Sequence, residues 1–76
     1  MNKQRRKNLE NIIDHLDALR ITLEELRDEE QESFDALPEG FQTTERGEAM
    51  EAAIYSMEEA LDNIDYAISS IEEAME

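Results

Sequence analysis

Residues 50–75 read MEAAIYSMEEALDNIDYAISSIEEAM, and within them Met50, Ile54, Met57, Leu61, Ile64, Ile68, Ile71 and Met75 recur at alternating steps of four and three. An α-helix turns once per about 3.6 residues, so this spacing holds all eight side chains on one stripe and predicts a helix. Ala53, Ala60, Ala67 and Ala74 repeat every seven residues beside that stripe. With Ile54, Leu61, Ile68 and Met75 placed at heptad position a, these alanines occupy g. A stripe spanning a, d and g is wider than a two-stranded seam needs and suits a bundle helix. Thr43 or Thr44 is the expected cap, with Glu45 and Glu48 in a first turn where the helix dipole favours negative charge.

Upstream, Leu9, Ile12, Leu16, Leu19, Leu23 and Leu26 follow steps of three and four and predict a second heptad seam, which Ile13 broadens. That seam then meets Glu30 and Ser33, so its last turns are expected to weaken, fray or bend, or to rotate toward Phe34. Asn2 is placed to cap the start, and Pro38 forces Leu37 out of helical geometry. The expectation is one domain over residues 1–76: a helix over about 3–35, a turn over about 36–43 and a helix over about 44–75. Pro38 and Gly40 supply the turn, and Phe34, Leu37 and Phe41 are expected to close the end of the core. The fold class is therefore all-α, an antiparallel helical hairpin of coiled-coil type. Because a lone hairpin leaves part of each stripe wet, two copies are expected to form a four-helix bundle, with Leu16, Leu19, Leu23, Leu26, Ile54, Met57, Leu61, Ile64, Ile68 and Ile71 as core or dimer residues. Antiparallel helices would also bring Lys3, Arg5, Arg6 and Lys7 beside Glu72, Glu73 and Glu76.

Charge narrows the function classes. The chain carries a formal net charge of −14, and residues 8–76 hold all 21 acids against three arginines, Arg20, Arg27 and Arg46, for a net −18. Such a surface repels nucleic acid and anionic membranes, whose affinity for proteins comes largely from basic residues displacing counterions. Direct binding to either is not expected, and no apolar run approaches the roughly 20 residues of a membrane span. The absence of cysteine removes thiolate metal sites and thiol nucleophiles and fits a reducing compartment. The basic start is followed by Glu10 and Asp14 rather than an apolar run, unlike a secretion signal, so a cytoplasmic location is expected.

Catalytic constellations are missing from the sequence. His15 is the only histidine, and two isolated glycines, Gly40 and Gly47, do not make a phosphate-cradling loop. Carboxylates such as Glu58, Glu59, Asp62 and Asp65 lie on a regular helix without the spacing of a calcium loop and read as a solvated face. Met50, Met57 and Met75 sit in seam positions and read as core filler. No enzyme activity, metal or cofactor is expected. After the core is assigned, Ile21, Tyr55 and Tyr66 project outward. With Glu58, Glu59, Asp62 and Asp65 they are the candidate contacts for a foreign protein, since aromatic side chains are enriched at binding hot spots.

The stretch LPEGFQTTERGEAMEAAIYSMEEA, residues 37–60, resembles a group of small acidic helical proteins encoded by phages and mobile elements of Gram-positive bacteria. Leu37, Pro38, Glu39, Gln42, Glu45, Arg46, Glu48 and Met50 carry the likeness, and Thr44 stands where serine is commoner in the group. The resemblance implies an accessory role in a bacterial cytoplasm, or a host cytoplasm during phage infection, and supplies no functional residue. Two functions are in play. One is a non-enzymatic helical adaptor or inhibitor that binds itself and a second protein. The other is a DNA mimic that blocks a nucleic-acid-binding enzyme of restriction or CRISPR type, using Glu10, Asp14, Asp17, Glu24, Glu25 and Asp28 with Glu51, Glu58, Glu59, Asp62, Asp65, Glu72 and Glu73 as phosphate surrogates.

Overall fold

Asn2 starts the first helix: its side chain accepts a hydrogen bond from the Arg5 amide at 2.8 Å, satisfying one of the amides that a helix start leaves without a partner. In the computed structural model, which describes all 76 residues, this helix, α1, runs over Lys3–Asp35. Glu39–Gln42 forms a single helical turn, α2, inside the expected connection, and α3 runs over Glu45–Ala74. The chain is all-helical, without strands. The two long helices lie against each other in a rod measuring 58 × 15 × 13 Å.

Pro38, which lacks an N–H, sits before α2 with its carbonyl accepting from the Phe41 amide at 2.8 Å. Gln42 then turns its side-chain amide back, donating to the carbonyl of Leu37 at 3.3 Å and to that of Phe34 at 3.4 Å, which also accepts from the Leu37 amide. Of the two threonines, Thr44 is the cap of α3. Its hydroxyl accepts from the Gly47 amide at 3.4 Å and donates to the Phe41 carbonyl at 2.6 Å. Losing both contacts, Thr44→Ala is expected to cost about 1 kcal/mol. The check is a lowered urea midpoint with faster amide exchange concentrated in the first turn of α3.

The seam of α3 lies where its periodicity places it. Gly47, Ile54 and Leu61 are buried, and Met50, Met57, Ile64, Ile68, Ile71 and Met75 are half-buried. The seam of α1 does not. Leu9, Ile13, Leu16, Arg20, Leu23, Arg27, Glu30, Phe34 and Leu37 are half-buried, again at steps of four and three, with Asp17 and Gln31 half-buried beside that row. Ile12, Leu19 and Leu26 are 45%, 60% and 50% exposed. Leu19 and Leu26 are therefore not part of the hairpin's own core, and Ile13 is central to it rather than a flank.

The cause is a choice between two stripes that share Leu9, Leu16 and Leu23. One is completed by Ile12, Leu19 and Leu26, the other by Ile13, Arg20, Arg27 and Phe34. The second prevails here because arginine lays its aliphatic stem along the seam and sends its charge outward. Arg20 donates to Asp17 at 2.8 Å and to Asp65 of α3 at 2.9 Å, and Arg27 donates to Asp28 at 2.9 Å. This rotation also keeps α1 packed to its end. It carries on through Asp35 without fraying, with Phe34 and Leu37 half-buried at the closed end of the hairpin. Phe41 is 59% exposed and does not join them, since the place beside the end of α1 is taken by the Gln42 amide.

The Arg20–Asp65 pair also fixes the register. Each step back along α1 is matched by a step forward along α3, so Leu9 is about level with Glu76. Residues 3–7 overhang the end of α3, and none of the expected pairs between that basic turn and Glu72, Glu73 or Glu76 forms.

Candidate functional site

With Ile13, Arg20, Arg27 and Phe34 at position a of α1 and Ile54, Leu61, Ile68 and Met75 at a of α3, the remaining positions of the two helices divide onto two broad flanks. In an antiparallel pair, e faces e and g faces g. Beyond Lys3 and Lys7 in the overhanging first turn, the e and b rows carry Glu10, Asp14, Asp17, Glu24, Asp28 and Asp35 from α1 and Glu48, Glu51, Glu58, Asp62, Asp65 and Glu72 from α3. The opposite flank, the g and c rows, has Arg5, Glu29 and Arg46 as its only charged members. Its remaining α3 residues are Ala49, Ala53, Ser56, Ala60, Asn63, Ala67, Ser70 and Ala74. One sequence thus folds into a rod with an acidic side and a nearly uncharged one.

A shallow groove of ≈ 410 Å³ opens on the acidic flank, lined by Gln31, Phe34, Glu51, Ile54, Tyr55 and Glu58. Its apolar floor comes from the seam itself: Phe34 and Ile54 face each other across the helix pair, and Tyr55 extends the floor outward. Glu51 and Glu58, one heptad apart, stand on its rim. A floor holding two aromatic rings beneath two carboxylates suits a lysine or arginine side chain, whose charge is drawn both to the ring faces and to the acids while its stem covers the apolar surface.

The residues singled out from sequence scatter relative to this groove. Tyr55 and Glu58 line it. Ile21, 54% exposed, lies on the same flank about one turn from Asp17, and Asp62 lies on that flank as well. Asp65 is already engaged by Arg20. That hydrogen bond, with the nearby charges of Asp17 and Glu24, raises the Arg20 guanidinium above its ordinary value against the opposing effect of burial. Glu59 and Tyr66 fall at f, on the outer edge of α3, and Tyr66 is 76% exposed. His15 is exposed on the other flank. Sequence reasoning missed Phe34 and Gln31 as groove residues because it took the Ile12, Leu19 and Leu26 row for the α1 seam, and it had Glu51 only as a phosphate surrogate. The heptad spacing of Ile13, Arg20, Arg27 and Phe34 was the signal.

No three histidine or acidic side chains converge as a metal centre would require. No helix is long and apolar enough to cross a membrane. No family model, curated protein or solved structure matches the chain.

Proposed function

We propose that this chain is a non-enzymatic interaction module, a small adaptor or inhibitor that works as a homodimer and docks its acidic flank onto a basic surface of a second protein. The carrying observation is the segregation of charge: twelve carboxylates, six from each helix, share the flank that also holds the aromatic groove. Acidity serving only solubility has no need to be one-sided, since a mixed surface keeps a small domain dispersed equally well. The resemblance of residues 37–60 to acidic proteins of phages and mobile elements fits an inhibitor in a bacterial or phage setting.

The DNA-mimic reading is the sharper version of the same docking, and charge density favours it. Residues 10–35 of α1 cover about 38 Å at 1.5 Å per residue, which gives roughly one carboxylate per 3 Å on this flank. A single DNA strand carries one phosphate per about 3.4 Å, so a groove shaped for a phosphate strand would meet a comparable field.

Salt and mutation test this together. A partner captured through the acidic flank at about 0.05 M salt is expected to be released near 0.5 M, where charges beyond roughly 4 Å are screened. Glu51→Gln with Glu58→Gln should weaken that capture without loss of helicity. Tyr66→Glu, on the outer edge, should leave it intact. Partner retention at high salt together with indifference to the Glu51 and Glu58 changes would overturn the reading.

A further inference from the structure

The hairpin by itself buries little. Only Ile54 and Leu61 among its apolar residues are buried, and its accessible surface is 5778 Å². A compact monomer of 8.8 kDa is expected to expose about 4,800 Å². The excess, on the order of 1,000 Å², matches the roughly 800 Å² that each partner contributes to a stable interface. Ile12, Leu19 and Leu26 form an unbroken exposed row at heptad spacing on the nearly uncharged flank. Two chains of net charge −14 can approach closely there, with both acidic flanks turned away.

Resting on the homodimer reading above, we infer that the Ile12–Leu19–Leu26 face of α1 packs antiparallel against the same face of a second copy, with Leu19 beside the two-fold axis. Three observations specify a second copy rather than a foreign helix. The row is symmetric about Leu19, and Leu19 is also the midpoint of α1, Lys3–Asp35, so an antiparallel partner α1 lies flush from end to end. Arg5 and Glu29, the charged α1 residues of this flank, have opposite sign and lie toward opposite ends. Two-fold pairing brings Arg5 of each copy within a turn of Glu29 and Glu32 of the other, twice per dimer. Arg5 also belongs to the basic turn that overhangs α3 and finds no ion pair within its own chain.

In such a dimer the axis is level with Tyr66, so α3 meets its counterpart over about residues 58–74, through Ala60, Ala67 and Ala74, where small side chains allow close approach. The product is a four-helix bundle with an acidic docking flank on each outer side.

Cysteine placement tests the face directly, because the chain has no cysteine of its own. Leu19 and Ile21 are similarly exposed, at 60% and 54%, but point to opposite flanks. Leu19→Cys and Ile21→Cys would be oxidised separately at about 10 μM, with sedimentation equilibrium and circular dichroism run on the same samples. A thiol held beside its symmetry mate has an effective concentration near the millimolar range, so Leu19→Cys should form the linked dimer about 100-fold faster than Ile21→Cys. Leu19→Glu with Leu26→Glu should convert a wild-type dimer to a helical monomer. A wild-type dimer whose Leu19→Cys variant links no faster than Ile21→Cys would overturn this face while leaving the homodimer standing. A wild-type monomer at 100-fold higher concentration would overturn the homodimer as well, leaving the acidic docking to its own salt test.

Discussion

Leu61→Ala is expected to cost about 2–4 kcal/mol, the usual loss for truncating a large buried side chain, and to abolish most of the helical signal near 37 °C. Leu61 and Ile54 are the buried apolar residues of the whole chain, at 8% and 6% exposure, so no second core can compensate. Domains of this length have only a few kcal/mol of net stability, which makes one such loss decisive. Ile54→Ala should behave similarly, with an added loss at the groove whose floor Ile54 supplies. Ile21→Ala, at an exposed position on the same rod, should stay within about 0.5 kcal/mol of wild type. Urea unfolding of the three variants, followed by circular dichroism, reads the contrast. Comparable midpoints for Leu61→Ala and Ile21→Ala would mean that the helices are held by something other than this seam.

The asymmetry between the helices explains what the sequence disclosed and what it hid. The stripe of α3 could be read residue by residue because all eight of its periodic positions, from Met50 to Met75, are apolar and its outer rows are charged, small or polar. The two termini were legible for a similar reason: Asn2, Thr44 and Pro38 each act through local geometry that needs no knowledge of the partner helix. On α1 the hydrophobic pattern pointed to Ile12, Leu19 and Leu26, which a single hairpin leaves outside, while Arg20 and Arg27 entered the seam. Hydropathy assigns arginine to water as a whole, yet its aliphatic stem and its guanidinium go to different places, and Asp65, 45 residues away, decides where the second one goes. The heptad spacing of Ile13, Arg20, Arg27 and Phe34 is its only trace in the sequence, and hydropathy ranks that row below Ile12, Leu19 and Leu26. The groove shared the same fate, since its lining by Gln31, Phe34 and Glu51 follows only once the rotation of α1 is known.

At the closed end, Gly47→Ala is expected to destabilise the chain although alanine is the better helix former. An alanine in a helix interior gains about 1 kcal/mol over glycine, and Gly47 has no left-handed backbone conformation that would forbid it. Space decides otherwise. A Cβ on Gly47 would collide with the Gln42 carbonyl oxygen and come within 2.6 Å of the Gln42 carbonyl carbon and 2.8 Å of the Phe41 oxygen. All three are backbone atoms, so no side chain can swing aside. The segment is also pinned from several directions. Phe41's carbonyl accepts from the Thr44 hydroxyl, its amide donates to Pro38, and Gln42's side chain holds the end of α1. Moving it loosens the connection that sets the register of α1 on α3. Overpacking of this kind costs about 1–3 kcal/mol, which outweighs the propensity gain. Gly40 is the internal control, because a Cβ there meets nothing within 4 Å. Gly40→Ala should therefore be neutral or slightly stabilising in the same denaturation series. A Gly47→Ala variant as stable as Gly40→Ala would show that α2 does not press against the start of α3, and that the closed end is free to shift without disturbing the seam.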